Sequence, residues 1–221
     1  MKKHVVKILT AEFVTHNVKR FVVEKPIGYE FIAGQATEVA INKPGQENEF
    51  RPFTFTSIPG TATLEFIIKI YTDHDGMTEK LFAVHAGDEF LLGEVFGSIG
   101  FAKPGLFIAG GAGITPFISI FRQLQSENKL EGNTLLFANK TEADIILKDE
   151  LKLLLKANYH DVIEEPTSGN SGRRINREVL TSYVLPTVQN YYVCGTQKFT
   201  EAMVDLLVAF GVTRTHIILE Q

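Results

Sequence analysis

The segment that most constrains the fold is Gly110-Gly111-Ala112-Gly113-Ile114-Thr115-Pro116. It follows an apolar run, Leu106 to Ala109. It opens a stretch in which Phe117, Ile118, Ile120, Phe121 and Leu124 recur at helical spacing. Strand, glycine turn and helix, in that order, build a site for a dinucleotide pyrophosphate. The glycines let the backbone turn tightly and approach phosphate, and the helix N-terminus offers free amides and partial positive charge. Pro116 stands where the usual fingerprint has its third glycine. Proline suits the first helical turn, where its missing N–H would find no partner anyway. An ordinary tight turn uses the same residue types, so this segment alone leaves both readings open.

The two halves of the chain differ in texture. Residues 1 to about 100 hold short β-rich runs: Val5–Thr10, Lys19–Glu24, Gln35–Ile41, Leu64–Tyr71 and Glu89–Gly93. Turn residues such as Lys43-Pro44-Gly45 and Pro59-Gly60 break them, a pattern that predicts an antiparallel barrel or sandwich. One short helix is predicted over 78–85, with Leu81, Phe82 and His85 on one face. From about residue 104 strands and helices alternate. Strands are predicted at 106–109, 134–138, 161–165, 191–194 and 216–219, and helices at 116–127, 147–156, 176–183 and 198–210. This alternation predicts βαβ units on a parallel sheet. The expected architecture is an N-terminal antiparallel β-barrel over 1–102, followed by a Rossmann-like α/β domain over 103–221.

Composition narrows the chemistry. The net charge is −4 and no long basic run occurs, which argues against a nucleic-acid partner. The one cysteine, Cys194, cannot close an internal disulfide or ligate an iron–sulfur cluster by itself. The six histidines lack ligand spacing, so no metal site is expected. No apolar run approaches 20 residues and no signal peptide is evident, so a cytoplasmic chain without membrane insertion is expected.

A second motif, Arg51-Pro52-Phe53-Thr54-Phe55-Thr56-Ser57, places a fixed cation, a rigid proline, an aromatic face and three hydroxyls within seven residues. Strand alternation puts Arg51, Phe53, Phe55 and Ser57 on one face and Thr54 and Thr56 on the other. An edge strand with a salt-bridged arginine reads the same way. This motif resembles the R-x-[YF]-[ST] signature of the ferredoxin–NADP reductase superfamily. The glycine segment resembles that family's pyridine-nucleotide turn, G-G-x-G-x-[TS]-P. Tyr192-Val193-Cys194-Gly195-Thr196 resembles its late C-G motif, Glu220 its near-terminal glutamate, and Gly34-Gln35 a pair that precedes the arginine. The matches run in family order over nearly the whole chain.

The resemblance implies a flavin domain on the barrel and a nicotinamide nucleotide on the α/β half. Arg51 and Pro52 would sit at the FAD pyrophosphate, Phe53 against the flavin or its ribityl chain, and Thr54 at flavin N5. Ile68, Lys69 and Ile70, with Gly76, Met77 and Thr78, would form the next FAD segment, one residue shorter here than the family pattern. Thr115 is implied for both nucleotides. Gly110, Gly111, Gly113, Ile114, Pro116, Asn139, Lys140, Cys194, Gly195 and Thr196 are implied for NAD(P)H. Thr54, Cys194 and Glu220 are the implied catalytic set. Cys194 is equally readable as inert packing at a strand end, and Glu220 as a solvated terminal charge.

A ribose 2′-phosphate would be repelled by Glu164 and Glu165, while Lys140, Arg173 and Arg174 could attract it. The balance favours NADH over NADPH. The chain stops at Gln221, so an open nicotinamide side is expected. With no fused ferredoxin segment, electrons are expected to leave to a separate soluble carrier, a flavodoxin or ferredoxin. Two alternatives stay open: a free-flavin or ferric-chelate reductase, and a non-catalytic flavin- or nucleotide-binding subunit or sensor.

Overall fold

The computed structural model describes residues 3–72, 76–97, 99–166, 172–184 and 189–220. Six strands build an antiparallel sheet from the first half: β1 (His4–Thr15), β2 (Val18–Glu24), β3 (Ala36–Ile41), β4 (Arg51–Thr54), β5 (Thr63–Lys69) and β6 (Glu89–Phe96). Their order is β4-β3-β6-β1-β2-β5, so β4 and β5 are the two edges. An antiparallel bridge between Phe55 and Phe66, with Thr56 N–H donating to Glu65 O at 2.9 Å, joins those edges. The sheet closes on itself, which removes the exposed edges an open sheet would present. Strand alternation fills the interior: Val6 and Ile8 point in while Val5, Lys7 and Leu9 face solvent. Phe21, Phe55, Phe66 and Phe90 are fully buried there.

Two local expectations change. The helix predicted over 78–85 is a single α-turn, α1 (Met77–Lys80), continued as a 3-10 turn over Leu81–Ala83. The tighter winding brings residues three apart into line. Met77, Leu81 and Val84 are buried, whereas Phe82 and His85 are exposed. Lys19 ends the helix. Its buried ammonium donates to the carbonyls of Leu81 (3.3 Å), Phe82 (3.0 Å) and Val84 (2.6 Å), so carbonyls left over at a helix end find a partner. The second change concerns β4, which ends at Thr54, where the chain bends toward its bridge with β5. Phe53 and Phe55 both pack in the barrel cluster, as alternation predicts, but Thr56 and Ser57 beyond the strand are both buried, so burial does not alternate past it.

Five parallel strands follow: β7 (Gly105–Gly110), β8 (Thr134–Asn139), β9 (Tyr159–Ile163), β10 (Asn190–Cys194) and β11 (Ile217–Leu219). Their order is β11-β10-β7-β8-β9. Helices α2 (Thr115–Ser126), α3 (Lys148–Leu155), α4 (Arg177–Thr181) and α5 (Gln197–Ala209) connect and cover them. β9 lies two residues earlier than predicted, which frees Glu164 and Glu165 from the strand. The last strand loses His216 to a 3-10 turn over Arg214–His216. Successive residues of β7 serve opposite faces. Phe107 and Ala109 pack with Phe117 and Phe121 of α2, while Leu106 and Ile108 pack with Met203 and Leu207 of α5. The first of these cores also takes in Val18, Ala33 and Ile67 from the barrel, so apolar packing runs on between the two sheets.

The connection between the sheets is pinned by one hydroxyl. Tyr192 Oη accepts from the amides of Ala102 (3.0 Å) and Lys103 (3.1 Å) and donates to Lys103 O at 2.7 Å. Its ring stacks on Phe107 with centroids 4.2 Å apart.

Candidate active site

The strand order locates the site. From β7 the chain runs outward through β8 and β9, then returns to place β10 on the other side of β7. Helices leave β7 and β10 in opposite directions there, and such a reversal opens a crevice beyond the strand C-termini. The glycine turn after β7 and the Cys194–Thr196 turn after β10 form that crevice.

A cavity of about 840 Å³ runs from it across to the barrel. Pro52, Phe53, Thr54, Ile68, Lys69 and Thr78 line the barrel side. Gly110, Gly111, Gly113 and Thr115 line the other, with Asn139, Lys140, Cys194, Gly195, Thr196 and Glu220. Phe53 and the adjacent Thr54 both line this cavity, and Phe53 also packs against the barrel cluster. Arg51, Ile70, Gly76, Met77, Ile114 and Pro116 do not line it. The Arg51 guanidinium is exposed and donates to Phe50 O at 2.8 Å. The side chains of Ile70 and Met77 belong to the barrel core, and those of Ile114 and Pro116 are buried beneath the glycine turn.

The glycines divide into two kinds. A Cβ on Gly113 would lie 2.3 Å from Cys194 O, and one on Gly110 or Gly195 would press on the Phe199 ring at 2.9 or 2.6 Å. These three are glycine because two turns and an aromatic ring pack closely at the crevice floor. Gly111 differs. Its φ is +53°, a region that L side chains rarely adopt, and a Cβ there would meet nothing within 4 Å. Gly111 is therefore the position where backbone faces open cavity. Gly34, at φ +91°, is glycine because a Cβ would lie 2.7 Å from Ile99 O.

Glu220 joins the two sides. Thr54 Oγ1 donates to one carboxylate oxygen at 3.4 Å, and Cys194 Sγ donates to the other at 3.4 Å. Three residues from opposite ends of the sequence thus meet at one carboxylate. Burial, the Glu220 charge and the hydrogen bond to it all push the Cys194 thiol above its ordinary range, so it is a neutral thiol at physiological pH. A thiolate nucleophile is excluded by that environment. The set can orient a bound group and accept or pass a proton at Glu220.

The far end of the cavity carries mixed charge. Glu164 accepts from Arg174 Nε at 3.0 Å, and Glu165 lies 3.2 Å from Lys140 Nζ. Backbone bonds from Glu164 N–H to Asn139 O (3.0 Å) and from Glu165 N–H to Lys140 O (2.9 Å) hold both beside the end of β8. Asn139 is buried, and neither atom of its side-chain amide has a partner. Buried amides are nearly always satisfied. Asn139 is also among the residues that line the cavity.

The sequence did not reveal Phe199 as the crevice floor, although its spacing from Thr196, which caps α5, carries a weak signal (Phe199 N–H to Thr196 Oγ1, 3.4 Å). It also gave no sign of the buried ion cluster around Arg122 described below. Among the described residues, no group of histidine, cysteine and carboxylate side chains could hold a metal, and no helix is long and apolar enough to cross a membrane.

The chain is similar in sequence and fold to known proteins. Residues 107–205 match the family model of the oxidoreductase NAD-binding domain. The reductase component of propane 2-monooxygenase from Rhodococcus jostii is 27% identical over 87% of this chain, which spans 56% of that protein's length. An Arabidopsis thaliana NADH–cytochrome b5 reductase is 28% identical over 93% of the chain and 79% of its own. A Neisseria gonorrhoeae ferredoxin NADP+ reductase, solved with bound FAD and NADP, superposes with a TM-score of 0.83 at 22% identity, over 99% of this chain and 98% of its own. Residues 107–205 are thus similar to the oxidoreductase NAD-binding domain, and the chain as a whole has the two-sheet fold of that ferredoxin NADP+ reductase.

Proposed function

We propose that this chain is an FAD-dependent reductase that accepts hydride from NADH and passes electrons singly to a soluble carrier protein, a flavodoxin or ferredoxin. The observation that carries the proposal is the 840 Å³ cavity whose two walls bring Thr54, Cys194 and Glu220 together. In this reading residues 1–102 form the flavin domain and 103–221 the nucleotide domain.

The residues present fit the two nucleotides. Gly111 offers backbone to a phosphate without a side chain in the way, beside the first turn of α2, a 12-residue helix. Asn139 supplies both a donor and an acceptor to polar groups of the nicotinamide nucleotide. Glu164 and Glu165 accept from ribose hydroxyls and disfavour a 2′-phosphate, and their pairing with Arg174 and Lys140 moderates that preference. Phe53 offers an aromatic face to the flavin, and Thr54 a hydroxyl to N5. Arg51 is exposed and, among the described residues, its guanidinium is held by a neighbouring carbonyl, so it can turn to a pyrophosphate.

When bound, FAD takes up a hydride and releases electrons one at a time. The protein's part is orientation. Cys194, small and neutral, lets the nicotinamide lie close to Thr54, and Glu220 holds both side chains in place until a nucleotide enters. The acceptor is tested by NADH-driven reduction of cytochrome c with and without added flavodoxin or ferredoxin. A rate that rises only with the carrier supports the proposal. Equal rates with free flavin alone would favour the flavin-reductase alternative.

A further inference from the structure

A partly buried ionic cluster, with Glu65 its most buried member, lies between the barrel and the nucleotide domain, outside the cavity. Arg122, on α2, is its centre. Its Nη1 donates to Thr56 O at 2.8 Å and to Glu65 Oε1 at 2.6 Å, both on the barrel. Its Nε and Nη2 grip the two oxygens of Glu150, on α3, at 2.5 and 2.8 Å. Glu65 is 6% exposed and also accepts from Thr56 Oγ1 and from Arg20 Nε, each at 2.8 Å. Three residues earlier on the same face of α2, Ser119 is fully buried and donates to Ser57 O at 2.7 Å.

These bonds have a specific geometry. α2 reaches across the domain boundary and holds two consecutive carbonyls, those of Thr56 and Ser57. Those residues lie just beyond Thr54 in the chain, and Thr54 lines the cavity. The N-terminus of α2 begins at Thr115, which lines the opposite wall. One rigid helix therefore fixes the separation of the two walls. A planar guanidinium gripping a carboxylate at two points fixes orientation as well as distance. Buried ion pairs of this kind are weak contributors to stability, since apolar replacements of the whole set are often neutral. Removal of a single partner strands a buried charge and is strongly destabilising. The cluster is better suited to defining one arrangement than to adding stability.

We propose that Arg122 and Ser119 are positioning residues that set the register between Thr54 and the Gly110–Thr115 turn, and with it the approach of the two bound nucleotides. The proposal rests on the function proposed above for its consequence in transfer, while the register itself is a property of the protein alone.

The test compares three proteins: wild type, Ser119→Ala, and the combination Arg122→Met with Glu65→Gln and Glu150→Gln, in which all three charged side chains are replaced by uncharged ones. Arg20 retains Glu12 as a partner in the combination. Spin labels at Ile27→Cys on the barrel and Leu153→Cys on α3, both exposed sites, report the interdomain distance by pulsed dipolar spectroscopy with and without FAD. Cys194 is buried and is not labelled.

The expected result is a combination variant that melts near wild type and binds FAD fully, yet shows a broadened distance distribution. Flavin reduction at saturating NADH should slow by about tenfold or more, since a misplacement of about 1 Å can cost roughly 100-fold. Ser119→Ala should show the same two effects more weakly, with KM for NADH unchanged. Distance distributions and reduction rates equal to wild type in a well-folded variant would overturn the proposal. If the combination fails to fold, Ser119→Ala decides the matter on the same two readouts. A chain that binds no flavin but still shows the broadening would refute the proposed function and leave the positioning role standing.

Discussion

A methyl group added at Gly113 separates packing from ligand contact in the glycine turn. The new Cβ would lie 2.3 Å from Cys194 O, 2.5 Å from Cys194 C and 2.5 Å from Gly195 N. Comfortable heavy-atom contact is about 3.5–4.0 Å, so the two turns must part by roughly 1 Å or more. All three obstructing atoms are backbone, in strand-end segments pinned on both sides by the sheet, so no rotamer change relieves the clash. Overpacking costs about 1–3 kcal/mol, and a backbone clash belongs at the upper end. For a chain of this size that lowers Tm by about 6–12 °C. Gly111→Ala is the control. It meets nothing within 4 Å, and its positive φ costs about 1 kcal/mol, or roughly 2–4 °C. The functional order should be the reverse of nothing-but-stability: Gly111→Ala, though well folded, places a methyl where the phosphates approach and should raise KM for NADH severalfold. Differential scanning fluorimetry and anaerobic flavin reduction measure the two effects. A Gly113→Ala protein as stable as wild type would refute the packing argument, and unchanged nucleotide kinetics in Gly111→Ala would refute the ligand argument.

Three further outcomes are expected. Lys19→Met strips the ammonium from three carbonyls at the end of α1. It should cost about 1.5–3 kcal/mol and lower FAD occupancy by loosening the segment that carries Thr78, as read by melting and by the flavin-to-protein absorbance ratio; an unchanged Tm would contradict it. Arg51→Ala should weaken FAD binding by about 1.5–3 kcal/mol, measured by flavin fluorescence on dilution, and full retention of FAD at low protein concentration would show that the pyrophosphate lies elsewhere. The Cys194 thiol, whose ordinary pKa is about 9, is held well above that value in the folded protein by burial and by Glu220. Its contribution to stability is thus complete below about pH 9 and is lost as the pH rises beyond it. Wild-type Tm should fall above that pH more steeply than the Tm of Cys194→Ala, and parallel curves would refute the assigned environment.

Much of this architecture was legible in the sequence for identifiable reasons. Glycine and proline punctuate the barrel strands, and the 3.6-residue periodicity from Phe117 to Leu124 marks α2. Misreadings arose where local pattern yields to tertiary contact. Leu81, Phe82 and His85 were placed on one helical face, but the segment winds as a 3-10 turn over Leu81–Ala83, with Leu81 buried and Phe82 exposed. Alternation put Thr54 and Phe53 on opposite faces, yet both line the cavity. The Arg122 cluster could not be foreseen, because Glu65 and Arg122 stand 57 residues apart and each looks like an ordinary surface charge. The meeting of Thr54, Cys194 and Glu220 was legible only through the ordered family motifs, since no periodicity connects residues 166 positions apart. Asn139 was marked as a nucleotide residue only through the family resemblance; the structure places it at the end of β8, lining the cavity.

Anaerobic titration of the FAD-reconstituted protein with NADH, and separately with NADPH, tests the central claim most directly. The account predicts one FAD bound per chain. One equivalent of NADH should bleach the flavin absorbance, with NADPH acting at higher concentration. Protein that binds no FAD, or whose bound flavin stays oxidised with excess NADH and NADPH, would contradict it.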